Sequence, residues 1–256
     1  MNVVFALRLT LKTERRVLCD TERSMSYRAL GAVLLCSKAT MQLKHSRIRR
    51  IPTQPESNPA FPEGEGGAQM LTRMNSGAHE QLAQWGLSFI DLRYKMFGLD
   101  VGCGGGANIE RLLNGMPRGT VDGIDHSNLA VRMSCEHNAQ AIDLGRCRVQ
   151  YAEVEHLPFA KESFDIVTGF ETIYFWRDAL SGLKEIHRVL KPAGELLICN
   201  ETNGENPEII EFAKTIPGMQ VYNATGFKSM FKNAGFSKID IHENPETGAL
   251  AVIGTK

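Results

Sequence analysis

Leu99-Asp100-Val101-Gly102-Cys103-Gly104-Gly105-Gly106-Ala107-Asn108 is the stretch on which the fold turns. An apolar run with one acid leads into four glycines, and a helical pattern follows. Gly102 and Gly104 let the backbone turn sharply and approach a ligand closely. The helix after them aims its unpaired N–H groups and positive dipole end at the loop. Thr120-Val121-Asp122-Gly123-Ile124-Asp125 then reads as a second strand ending in an acid. Asp125, about twenty residues past the loop, is spaced to accept hydrogen bonds from a ribose. Strand, glycine loop, helix and acid-tipped strand together predict an adenosine-containing ligand.

Outward from this unit, strands and helices alternate. Two helices are expected before it, Ala68–Asn75 and one starting at Ser76 or Gly77 with Leu82, Trp85 and Phe89 as its apolar stripe. The first strand is expected over Met96–Val101, with Gly98 as its weak point, since an interior glycine costs strand stability and often marks a bulge. Further helices are expected at 106–115, 128–141 with Ser127 as N-cap, and 178–190, the last stopped by Lys191-Pro192. Strands are expected at Arg148–Ala152, Phe164–Phe170 and Glu195–Asn200, two helices near 207–214 and 225–234, and a closing strand pair at Lys238–His242 and Leu250–Thr255. Such alternation gives a parallel sheet covered on both faces.

The formal net charge is zero, but it is unevenly spread. Residues 1–55 carry eleven Lys/Arg against three acids, and the remainder is acidic by the same margin. An acidic domain lacks the electrostatic footprint of a nucleic-acid binder. Six cysteines without a CxxC pair predict free thiols, a reducing cytoplasmic setting and no metal site. No stretch reaches the roughly 20 apolar residues of a membrane span. Residues 1–56 read as an extension outside the fold: a disordered tail, a run upstream of a later start such as Met41, or a transit-like presequence. Residues 57–256 are expected to form one domain with leading helices over 65–91.

Gly102-x-Gly104-x-x-Ala107 also fits the dinucleotide pattern, so a nicotinamide cofactor competes. Three features oppose it. Asp100 would repel a pyrophosphate but suits a ligand carrying an ammonium and a sulfonium. Glu153 opens a loop, Glu155-His156-Leu157-Pro158-Phe159, suited to covering an adenine. The terminal strand pair is foreign to dinucleotide architecture.

On the segments LDVGCGGGAN, VDGIDHS, AEVEHLPF, SFDIVTGFETIYFW and LKEIHRVLKPAGELLICNE, the chain resembles class I S-adenosylmethionine-dependent methyltransferases, in particular the small-molecule branch. The resemblance implies a Rossmann-like, doubly wound α/β fold: a mostly parallel seven-stranded sheet with an antiparallel terminal strand. It implies S-adenosylmethionine as cofactor, held by Asp100, Gly102, Cys103 and Gly104 in the loop, by Asp125 and His126 at the ribose, by Glu153 and Val154 at the adenine, and by Phe170 at the end of the fourth strand. Cys103 fills the loop with a small side chain. Glu171, Tyr174 and His79 are the candidate catalytic residues: Glu171 as base or amine-binding group, Tyr174 with Trp176 as a wall around the sulfonium or substrate, and His79 on a helix that closes over the cofactor.

Two departures stand out. Glu153 takes the place of the usual Asp, and Ala193 takes that of a glycine in LKPAG, which a type I turn would tolerate. Glu171-Thr172-Ile173-Tyr174 replaces the Asn/Asp-Pro-Pro-Tyr run of nucleic-acid amine methylation. The expected activity is methyl transfer to a small molecule, by a monomer or homodimer. A catalytically silent cofactor-binding module and a nicotinamide-dependent oxidoreductase are the alternatives.

Overall fold

A computed structural model of the chain describes residues 58–256. The readings made above for residues 1–56 lie outside the described residues, and residue 57 does too.

The chain enters through helices α1 (Gly64–Met74) and α2 (Ala78–Leu87). Then follow β1 (Phe97–Val101), α3 (Ala107–Gly115), β2 (Thr120–Asp125), α4 (Asn128–His137), α5 (Ala139–Asp143) and β3 (Cys147–Tyr151). The second half is β4 (Phe164–Phe170), α6 (Ala179–Val189), β5 (Leu190–Asn200), α7 (Pro207–Ala213), α8 (Ala224–Ala234), β6 (Lys238–Glu243) and β7 (Leu250–Thr255). The seven strands form one sheet in the order β3-β2-β1-β4-β5-β7-β6. The first five run parallel, and β7 pairs antiparallel with both β5 and β6. This is the expected architecture.

The central strands are buried on both faces, which is why they read as nearly continuous apolar runs. Along β5 the side chains alternate: Leu196 and Ile198 pack with α6 and α8 through Leu183, Ile186, Phe227 and Phe231. Leu197 and Cys199 face the other way, toward Leu82 of α2 and Ile109, Leu112 and Met116 of α3. Two helical layers thus hold the sheet between them, and both layers reach its carboxyl end.

Four local expectations are corrected. Gly98 makes no bulge: it pairs regularly with Val121 and Ile166, and a Cβ there would lie 3.3 Å from Met116 Cε. It is glycine for packing room. The helix expected over 128–141 is broken at Asn138, whose Nδ2 donates to the carbonyls of Gly106 and Ser134, both at 3.0 Å. The break ties this layer to the glycine loop. The helix before Lys191-Pro192 ends at Val189, and the chain passes straight into β5. Ala193 has φ +60°, which a type I turn does not contain. Between the pairs Phe164–Leu190 and Ile166–Glu195 the register shifts, and residues 191–194 bulge out of the ladder there.

Candidate functional site

The carboxyl ends of β1, β2 and β4 converge on the glycine loop, where an open α/β sheet binds ligands. Gly102 and Cys103 both donate backbone N–H to Ile124 O, at 2.8 and 2.9 Å. Gly104 N–H donates to Asp125 Oδ2 at 3.0 Å, and Ser127 N–H to Oδ1 at 2.8 Å. Gly102 and Gly104 have φ of +69° and +52°, and Gly106, which opens α3, has +87°. A Cβ on Gly102 would sit 2.1 Å from Thr172 Oγ1, so only glycine lets the loop pass this close to the end of β4.

Two cavities meet at Gly102. The larger, about 180 Å³, runs past Asp125, His126, Glu153 and Val154 and is walled by Phe175, Trp176 and Arg177. The smaller, about 50 Å³, lies between the loop and the leading helices, lined by Leu71, Asn75, His79, Arg111, Phe170 and Glu171 among others. The residues expected at a ribose and an adenine therefore line one cavity. His79, Cys103, Gly104, Phe170 and Glu171 line the other.

Asp100 lies in β1, almost fully buried. Its Oδ1 accepts from Thr168 Oγ1 at 2.7 Å, while Oδ2 has no partner. Burial pushes its carboxyl up to about 7; the Thr168 bond opposes this, nearby Asp125 adds to it, and Arg111 opposes it. Burial raises Asp125 too, against the backbone N–H groups that favour its charge. Burial also pushes the Cys103 thiol up, away from the thiolate that a nucleophile needs.

Glu171 follows β4 with φ +57°, rare for a residue with a side chain. Its Oε1 accepts from Glu201 N–H at 2.5 Å and from Tyr174 Oη at 3.3 Å. Tyr174 itself is 2% exposed and lines neither cavity, and Phe175 stands in the wall expected of it. Burial, with Glu171 beside it, pushes the Tyr174 phenol well above its ordinary range. Trp176 Nε1 donates to Thr172 Oγ1 at 3.2 Å, which fixes the indole at the cleft. His126 is held from outside: Nε2 lies 2.5 Å from Ala60 O, and its ring stacks on Phe61 at 5.4 Å. The sequence reading missed Thr172, Phe175, Arg177, Asn75 and Arg111. Only Thr172 left a signal, as a small polar residue directly after the end of β4. Among the described residues no cluster of His, Cys, Asp or Glu could hold a metal ion.

Residues 99–198 match the family described as "Methyltransferase domain". The matched segment runs from β1 to β5 and includes the glycine loop, Asp125 and the end of β4. It is 28% identical over 147 residues to the O-methyltransferase cnsE of Penicillium expansum, covering 56% of this chain and 52% of that protein. It is 28% identical over 214 residues to the demethylmenaquinone methyltransferase of Lactiplantibacillus plantarum, covering 72% and 90%. The chain spans about half the length of the Penicillium protein that it matches. A structure described as a SAM dependent methyltransferase from Aquifex aeolicus superposes with a TM-score of 0.60 at 21% identity, covering 73% of this chain and 97% of that one, and shares the fold.

The residues of the site fit S-adenosylmethionine. Asp125 accepts from the loop's Gly104 N–H on one carboxylate oxygen and from Ser127 N–H on the other, and each oxygen keeps a second lone pair, as a ribose diol would use. The unpartnered Asp100 Oδ2 is a buried acceptor beside the loop, suited to an ammonium. Glu153 and Val154 line the same cavity as Asp125, and the Glu153 carboxylate is an acceptor of the kind an adenine amino group needs.

Proposed function

We propose that this methyltransferase moves the methyl group of S-adenosylmethionine to an oxygen of a small-molecule acceptor. One observation carries the reading: the glycine loop separates a cleft ending at Asp125 from a second cavity lined by Glu171 and His79. When bound, S-adenosylmethionine supplies a methyl group already activated on a sulfonium. The chain's share is then to position, to exclude water and to manage one proton.

Asp125, Glu153 and Val154 hold the nucleoside end, and Gly102 and Gly104 allow the close approach. Phe170, with Leu71 and Leu82 from the leading helices, forms the apolar part of the second cavity's wall. Glu171 takes the acceptor's hydroxyl proton. Its Oε1 is fixed by the Glu201 N–H and the Tyr174 hydroxyl, so Tyr174 acts by orienting Glu171. His79, on the facing helix, orients the acceptor. An acidic domain and the Glu171-Thr172-Ile173-Tyr174 run support a small molecule over nucleic acid. The name of the Penicillium relative supports oxygen as the acceptor atom. Free cysteines support a reducing, cytoplasmic setting. Among the described residues no helix is long and apolar enough to cross a membrane.

Calorimetric titration with S-adenosylhomocysteine and NAD, followed by labelled methyl transfer to a panel of hydroxylated aromatics and polyketide-like phenols, tests the proposal. S-adenosylhomocysteine should bind, NAD should not, and label should pass to oxygen. Glu171→Gln should lower turnover by roughly 100-fold or more, the scale of a lost general base, with cofactor affinity nearly unchanged. Cofactor binding without transfer to any acceptor would favour a silent binding module. NAD binding without S-adenosylhomocysteine binding would overturn the reading.

A further inference from the structure

We propose that Arg111 takes the carboxylate at the amino-acid end of the cofactor, so that the chain reads this end as a zwitterion between Arg111 and Asp100. The inference rests on the methyltransferase reading above. Arg111 projects from α3 into the smaller cavity, beside Asn75 and the loop glycines Gly104 and Gly105. Its Nη1 donates to Asn108 Oδ1 at 2.8 Å and its Nη2 to the carbonyl of Asn75 at 3.2 Å. These partners are neutral, and they occupy two of the five donors that a guanidinium carries. Among the described residues no carboxylate forms an ion pair with it.

A half-buried guanidinium without a counter-ion is costly, and burial in folded proteins normally comes with pairing. A few residues away the opposite imbalance exists: Asp100 buries a carboxylate oxygen that nothing partners. The two groups lie close enough for the charge of Arg111 to act on Asp100. A guanidinium outside any ion pair and a buried carboxylate oxygen without a donor, with a small cavity against the loop, complement a ligand carrying an ammonium and a carboxylate on one carbon. The opening turn of α3, whose Ala107 and Asn108 line the same cavity, adds its positive end there. The fork of Arg111 suits a carboxylate in a way that a lysine would not. Its two present bonds preset that fork, and they also tie the α1–α2 corner to the loop together with Asn75 Nδ2, which donates to Gly105 O at 3.1 Å.

The test is titration of parent, Arg111→Gln and Arg111→Lys with S-adenosylhomocysteine and with 5′-methylthioadenosine, which has the nucleoside but no amino-acid end. Arg111→Gln should weaken S-adenosylhomocysteine roughly 10- to 100-fold, as loss of a charge-assisted bond does, and leave 5′-methylthioadenosine within about twofold. Arg111→Lys should recover part of the loss. Unchanged S-adenosylhomocysteine affinity in Arg111→Gln, with the parent binding normally, would overturn the inference and leave the methyltransferase reading intact. Equal weakening of both ligands would overturn it as well, since Arg111 would then only hold the α1–α2 corner. A parent that binds neither ligand would overturn both readings together.

Discussion

Asp100 is the residue at which stability and function oppose each other. Its carboxyl titrates at about 7 because burial disfavours the charge, against an ordinary value of 3.8. The folded chain therefore holds this proton more tightly than the unfolded chain does. That contribution to stability is complete below about pH 4, and it is lost as pH rises through 7. A cationic ligand beside Asp100 reverses the preference by favouring the charged form. Two outcomes are expected from Asp100→Asn. Without ligand, its melting temperature should exceed the parent's by more at pH 8 than at pH 5. In the parent, S-adenosylhomocysteine affinity should rise from pH 6 to pH 8, by at most about tenfold per unit since one proton is released, while the variant binds weakly with a flatter profile. Melting scans and titrations at three pH values measure both. Parallel pH profiles in parent and variant would show that another group carries the dependence.

At the scale of elements, the entry into β5 is the place where local preference and global fold disagree. Residues 191–194 leave the β4 ladder and return to it, and Ala193 takes φ +60° to do so. The bend is closed by the chain's last residue: Ala193 N–H donates to Lys256 O at 3.3 Å, and Lys256 N–H to Gly194 O at 3.0 Å. A left-handed conformation costs a residue with a Cβ about 1–2 kcal/mol, and glycine escapes that cost while adding unfolded-state entropy. Ala193 is exposed, so no packing is lost with its methyl. Ala193→Gly should stabilise the chain by up to about 1 kcal/mol, or roughly 2–4 °C in a chain of this size. Scanning calorimetry reads this directly, and a lower melting temperature would mean that the bend is not strained. The LKPAG pattern was visible in the sequence, but the sign of φ was not, because it follows from the pairing of β5 with β4 on one side and the C-terminus on the other. Asn138 teaches the same lesson: its 3.6-residue pattern promised a continuous helix, and a tertiary hydrogen bond to Gly106 O broke it.

At the scale of the whole molecule, what was legible followed from periodicity and turn chemistry. The order of strands and helices, the loop and Asp125 all sit on short-range patterns. Arg111 and Asn75 were not legible, since Asn75 reaches the loop from 30 residues away, Arg111 meets Asn75 across 36, and neither carries a motif of its own. The strap before α1 was not legible either, and it gives the molecule a testable edge. Ala60 O meets His126 Nε2, Pro62 O accepts from Ser127 Oγ at 2.7 Å, and Phe61 stacks on His126. Ser127 is also the N-cap of α4, its Oγ accepting from Ala130 N–H at 3.2 Å, and its own N–H holds Asp125. The strap thus braces, through Ser127 and His126, the Asp125 carboxylate, which the proposed function assigns to the ribose. Residues 1–50 show no periodic apolar face and carry a charge opposite to that of the rest. A chain beginning at Asn58 should therefore melt cooperatively, with S-adenosylhomocysteine affinity within about twofold of the full chain. One beginning at Gly64 loses a buried Ser127–Pro62 bond, worth about 1 kcal/mol, together with the Phe61 stack. Its affinity should fall by several-fold or more, and its melting temperature should drop. Equal affinities in the two shortened chains would show that the strap does not brace Asp125. Loss of cooperative melting in the longer one would place part of the fold before Asn58.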